Sequence, residues 1–122
     1  MMTLLLVVED DAIIRMRLKI LLEMEGYRVR EASNGRDALG FLRQSRDFPC
    51  LVVLDLMMPV MDGIEFRRTQ LQDPDLAHVP VVIVTGKNDL KEVDDLQPLH
   101  IVRKPFQADV LLELIETHCP RR

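Results

Sequence analysis

Cysteine is scarce in this chain of 122 residues. Cys50 and Cys119 are the whole complement, too few and too far apart for a disulfide scaffold or a zinc site. Long hydrophobic runs are missing as well: the longest, Leu4 to Val8, is five residues, against the ~20 a membrane-spanning helix needs. Met1, Met2 and Thr3 lead straight into that run and then into three acids, so no signal peptide is visible. Basic charge is not in excess. Lys and Arg total 16 against 20 Asp and Glu, a net charge of -4 without the footprint of a nucleic-acid binder. Gly/Ser linkers, internal repeats and low-complexity stretches are absent. No Gly-x-Gly-x-x-Gly occurs, and the loop-like spacing Gly35 to Gly40 is followed by Phe41-Leu42 in place of Lys-Ser/Thr. The expectation from these absences is a soluble cytosolic protein, with residues 1–122 expected to form a single domain without an output domain. With 48% hydrophobic and 30% charged residues it can bury a core without metals or cross-links.

Two kinds of segment alternate. Thr3–Val8 is apolar on both faces, as a strand between two helical layers must be. Ala12–Glu25 follows with Ile14, Leu18, Leu21 and Leu22 on one helical stripe, stopped by Gly26. Tyr27–Ala32 reads as an outer strand, and Asn34 can cap a helix whose Ala38, Leu39 and Leu42 share a face. Leu51–Leu54 is a second buried strand, and Ile64–Leu71 a short helix entered through Met61-Asp62-Gly63. Pro80 precedes a strand over Val81–Val84, with Asn88–Leu96 a weak helix and His100–Val102 a short strand. Val110, Leu111, Leu114 and Ile115 mark the last helix. Five βα units in a row predict an α/β fold, a doubly wound parallel sheet with helices on both faces.

Ligands in such sheets bind beyond the carboxyl ends of the strands. Glu9, Asp10 and Asp11 follow the first strand, Asp55 the third, Thr85 the fourth and Lys104 the fifth. Gathered carboxylates repel by about 1 to 4 kcal/mol per pair at 4 Å, depending on the local dielectric. A divalent cation resolves that repulsion, and carboxylates completed by water and phosphate oxygens are the habit of magnesium. A carboxylate beside Mg²⁺ can also attack a phosphoryl group. The cation, the Lys104 ammonium and the Thr85 hydroxyl would then cover its three equatorial oxygens. No redox group and no serine-hydrolase base accompanies the set. Asp11 reads as bystander charge, Asp62-Gly63 as a helix-entry turn, and His78, His100 and His118 as scattered surface positions.

The segments Val7-Val8-Glu9-Asp10, Val53-Leu54-Asp55-Leu56-Met57-Met58-Pro59, Met61-Asp62-Gly63, Val84-Thr85-Gly86 and Lys104-Pro105-Phe106 resemble those of bacterial response regulator receiver domains. The resemblance runs through essentially the whole chain, in order. It implies the flavodoxin-like sheet with strand order 2-1-3-4-5 and a two-component or phosphorelay signalling domain rather than an enzyme. Asp55 would be the phosphoacceptor, taking its phosphoryl group from a histidine kinase or a histidine phosphotransfer protein. Glu9, Asp10, Asp55 and the Met57 backbone carbonyl would hold Mg²⁺, with Thr85, Gly86 and Lys104 against the phosphoryl group. Output would be contact with a downstream protein or onward transfer, without direct binding to nucleic acid or membrane. Self-association would use the face of the fourth helix, fifth strand and fifth helix.

Two features depart from the family pattern. Ile101 stands where an aromatic ring is usual, three positions before Lys104, and Leu96-Gln97-Pro98-Leu99 replaces a turn of small residues. The interval from Thr85 to Lys104, nineteen positions, is short. All three observations fall on the fourth helix and the fifth strand, the switch region around Ile101. Competing readings fare worse on the residues. A haloacid-dehalogenase-like phosphatase wants a second acid where Met57 stands, and three acids after the first strand would repel a flavin phosphate. A receiver-shaped module that takes no phosphate is opposed by the full acid–Thr–Lys set.

Overall fold

The computed structural model describes residues 2–86, 91 and 93–120. Five parallel strands form one sheet: β1 (Leu4–Val8), β2 (Arg28–Ala32), β3 (Leu51–Asp55), β4 (Val81–Thr85) and β5 (His100–Arg103), in the order β2-β1-β3-β4-β5. Among the described residues, four α-helices connect or follow them: α1 (Ala12–Met24), α2 (Gly35–Gln44), α3 (Gly63–Gln72) and α4 (Ala108–His118). The strand order is the expected one. It places β1 and β3 side by side at the centre, with Val8 opposite Leu54, so the acids that follow the two strands emerge together.

Strand alternation divides the core between the two faces of the sheet. Leu6, Val8, Val52, Leu54, Val81 and Ile83 point to one face, where Ala38, Leu39 and Leu42 of α2 and Phe66 of α3 cover them. Leu5, Val7, Leu51, Val53, Val82 and Val84 point to the other, against Leu18 and Leu22 of α1 and Leu111 and Ile115 of α4. A strand flanked by two helical layers has no polar face, which is why β1, β3 and β4 read as unbroken apolar runs.

The starts of α1, α2 and α3 follow side-chain chemistry. Asp11 accepts from the backbone N–H groups of Ile13 and Ile14, Asn34 from Asp37, and Asp62 from Glu65. Asp11 is therefore the N-cap of α1 and not bystander charge. The expected turn Asp62-Gly63 enters α3 as the sequence suggests, and Gly26, at φ 95°, ends the chain's path out of α1.

Two expectations change. Cys50 and Cys119 are bonded to each other, with Cα atoms 6.1 Å apart across a separation of 69 residues. Distance in sequence misled, because α4 runs back along the sheet and ends where β3 begins. The helix expected over Asn88–Leu96 falls partly on residues 88–90 and 92, outside the described residues. Its described end, Asp94–Leu96, is a single 3-10 turn closed by Leu96 N–H to Val93 O at 2.9 Å. Within that turn Leu96 is buried, as is Val93 before it, while Asp94 and Asp95 are exposed. The self-association face expected to begin with that helix is, among the described residues, headed by one turn.

Candidate functional site at the carboxyl ends of the strands

Glu9 follows β1, and its backbone is fixed on both sides: its N–H donates to Ala32 O at 3.0 Å, and Arg15 donates to its carbonyl at 2.7 Å. The side chain is almost fully buried and accepts from Lys104 Nζ at 2.9 Å and from the Asp11 N–H at 3.2 Å. Asp55 ends β3, also buried, with Oδ1 accepting from the Met57 N–H at 3.3 Å and Oδ2 lying 3.7 Å from Lys104 Nζ. Asp10 is exposed at the rim. One carboxylate oxygen from each of Glu9, Asp10 and Asp55 lies within 4.8 Å of the others, the one cluster of metal-ligating side chains found among the described residues. Asp11, turned to its cap, is not in it.

Lys104 reaches this cluster because its backbone is tied to the neighbouring strand, its N–H donating to Thr85 O at 2.8 Å. Thr85 itself is fully buried at the end of β4. Gly86 is exposed, and a Cβ there would meet only the Lys104 Cβ, at 3.9 Å, so the fold does not require glycine at that point. Met57 is exposed at the mouth, beside an open depression of 530 Å³ lined by Asp10, Leu56, Met58, Pro59 and Ile64. Ile101 sits one layer below, half-buried on β5 opposite Ile83 and packed into the α2–α3 core.

Burial and the Glu9 charge push the Asp55 carboxyl up to about 7, against the opposing pull of Lys104. Burial raises Glu9 too, but the hydrogen bond from Lys104 and that from the Asp11 N–H outweigh it and hold Glu9 below its ordinary value. Asp10 is raised by partial burial and by Glu9. Burial would lower Lys104, yet its bond to Glu9 and the charges of the acids keep it above its ordinary value. Of the two facing buried acids, Glu9 is thus the more readily ionised and Asp55 the more readily protonated. Three carboxylates against one ammonium form a pocket short of positive charge.

Two supporting residues escape a reading of the sequence for chemistry. A Cβ on Gly63 would collide with the Asp55 carbonyl oxygen and lie 2.7 Å from Leu56 Cα, so glycine is what lets α3 start against the end of β3. The Asp-Gly pair was the available signal, read only as a turn. Val60, in the loop between β3 and α3, is held at φ 69°, a left-handed conformation costly for a β-branched residue. Nothing in the sequence marks it.

A family model described as the response regulator receiver domain matches residues 5–116. The transcriptional regulatory protein AfsQ1 of Streptomyces coelicolor is 39% identical over 113 residues, covering 88% of this chain and 47% of AfsQ1. Sporulation initiation phosphotransferase F of Bacillus subtilis is 33% identical over 120 residues, covering 95% of this chain and 93% of that protein. The signal receiver domain of a Syntrophus aciditrophicus histidine kinase has a solved structure that superposes with a TM-score of 0.85 at 32% identity, covering 94% and 88% of the two chains. The chain thus spans about half the length of AfsQ1 and nearly all of the phosphotransferase.

Proposed function

The chain belongs to the response regulator receiver domain family, a family of signalling domains, and we propose that Asp55 is its phosphoacceptor, charged by a phosphohistidine on a kinase or phosphotransfer protein. The observation that carries this reading is the meeting of Asp55, Glu9, Asp10 and Lys104 at the ends of β1, β3 and β5.

In the reaction, an Asp55 oxygen forms a bond to phosphorus as the bond from phosphorus to the donor imidazole breaks, and the imidazole keeps the electron pair. The Met57 N–H fixes one Asp55 oxygen and leaves the other turned towards Lys104. Asp55 must be ionised to attack. Lys104 favours that form, as would any cation among the acids. Glu9, Asp10, Asp55 and the Met57 carbonyl are the groups that would hold Mg²⁺. The donor set of hard oxygens short of positive charge fits that ion. Bound there, Mg²⁺ would neutralise charge on the carboxylates and on the phosphoryl oxygens. Lys104 supplies a second positive charge, and Thr85, at the adjoining strand end, a hydroxyl for a third oxygen; Gly86 adds no side-chain bulk beside them.

A domain of this kind acts in the cytoplasm through a downstream protein or by passing the phosphoryl group on, and self-association through β5 and α4 is part of the same reading. No helix among the described residues is long and apolar enough to cross a membrane. Incubation with acetyl phosphate and Mg²⁺, followed by intact mass, tests the assignment. One phosphoryl group is expected on the unmodified chain and none on Asp55→Asn; equal labelling of both would remove Asp55 from the role.

A further inference from the structure

Cys50 immediately precedes β3 and Cys119 caps the end of α4. At their far ends the same two elements bear on the site: β3 finishes at Asp55, and α4 begins four residues after Lys104. The sulfur–sulfur bond at one end of the sheet and the 3.7 Å approach of Lys104 to Asp55 at the other therefore close a single ring through β3 and α4. We infer that Cys50 and Cys119 form a reversible thiol–disulfide pair through which a low-molecular-weight thiol couple, of the glutathione class, sets the tightness of α4 and of the Lys104 end of the site.

The two cysteines are unequal. Cys119 is fully buried in the apolar cluster of α1 and α4, its carbonyl accepting from the Tyr27 hydroxyl at 2.7 Å, whereas Cys50 is half-buried. Cys50 is thus the sulfur an exchanging thiol can reach. For closure, the Cys50 thiolate attacks glutathione disulfide and expels one glutathione thiolate. The Cys119 thiolate then attacks the Cys50 sulfur and expels the second. Two electrons pass to the glutathione sulfurs, and the two thiol protons end on the two glutathiones. Opening is the reverse. Both states fit the fold, because reduced cysteine packs as a small apolar residue and the 6.1 Å Cα spacing already suits the bond. A compartment that keeps thiols reduced would hold the pair open until its redox poise changes.

The test uses the unmodified protein equilibrated with glutathione disulfide or with dithiothreitol, alkylated and weighed intact. No alkylated cysteine is expected after glutathione disulfide and two after dithiothreitol. Two free thiols in both, or a stable glutathione adduct, would overturn the pair. Reduction should lower Tm by about 5 to 15 °C, since the bond closes a loop of 69 residues. Cys50→Ala should abolish that dependence, and its persistence in the variant would overturn the assignment. For the coupling, amide exchange should quicken on reduction both at Cys119, which donates to Ile115 O, and at Lys104, which donates to Thr85 O. A change confined to the end of α4 would overturn that part. Slower labelling of the reduced form by acetyl phosphate is also expected, and this arm alone rests on Asp55 as phosphoacceptor. If neither redox form is labelled, that assignment fails while the thiol count and the Lys104 exchange still decide the pair.

Discussion

Two buried polar clusters lie towards opposite ends of β4, and they are built on opposite principles. Under the crossover to β5, Arg67 of α3 is buried with its guanidinium spent on neutral acceptors. It donates to Leu96 O at 2.9 Å, Gln70 Oε1 at 2.9 Å, Val79 O at 3.1 Å and Gln97 O at 3.1 Å. Gln70 then donates to Leu76 O and Val79 O, each at 3.0 Å. One charge spread over fixed dipoles binds the α3–β4 loop, and holds Gln97 in its left-handed conformation at φ 49°. At the carboxyl ends, three carboxylates share one ammonium, and the most central of them is pushed up to about 7. The first cluster is satisfied by the fold alone. The second needs something from outside, and that difference separates a structural polar core from a reactive one.

Removal of the central group should therefore have opposite signs in the two places. Arg67→Ala strips the donors from the Leu96 and Gln97 carbonyls and opens a cavity, at a cost of about 3 kcal/mol by denaturant or thermal melting. Asp55→Asn, melted in chelator, removes a like charge from a crowded pocket and should gain about 1 to 2 kcal/mol. Asp10→Asn should gain less, because that side chain is exposed. Destabilisation by Asp55→Asn would mean that the carboxylates do not oppose one another.

Titration sharpens the same contrast. A carboxyl that holds its proton to about 7 when folded, but loses it near the ordinary value of 3.8 when unfolded, binds more protons in the folded state between those limits. Stability contributed by Asp55 is therefore present in acid and lost as pH rises through that window. Glu9, held low, works in reverse and contributes stability that is lost in acid. In chelator, the Asp55→Asn variant should lose less stability than the unmodified protein on going from pH 5 to pH 8. Parallel pH profiles would contradict the raised carboxyl.

Much of this was legible beforehand, and the exceptions share a cause. The runs in β1, β3 and β4 are apolar on both faces because helices cover both, and Glu9, Asp10, Asp55, Thr85 and Lys104 stand at or just after the ends of parallel strands, so the sheet brings them together. Arg67 and Gln70 read as ordinary polar positions of α3. The signal was their register: Gly63, Phe66, Arg67 and Gln70 are the buried positions of that helix, a helical repeat that includes two polar residues. Their backbone acceptors lie on later segments, from 6 to 30 residues beyond the donor, and nothing local announces them. The Cys50–Cys119 bond was hidden for the same reason. Residues whose partners are fixed by neighbours in a strand can be read, and those whose partners are set by tertiary return cannot.

The smallest effect belongs to the loop between the clusters. Val60→Asn relieves a left-handed β-branched residue and should gain about 0.5 to 1 kcal/mol, read as a small rise in Tm with the site acids untouched. No gain would mean that the Val60 side chain contributes contacts that offset its backbone cost.

The contrast between a self-sufficient cluster and one that awaits a cation is tested most directly by thermal melting of the unmodified protein and Asp55→Asn across a Mg²⁺ titration. In chelator the variant should melt higher. As Mg²⁺ rises into the millimolar range the unmodified protein should gain Tm by mass action while the variant gains little, so the difference narrows and then reverses. Equal gains in both, or none in either, would contradict the assignment of the acid cluster as a divalent-cation site.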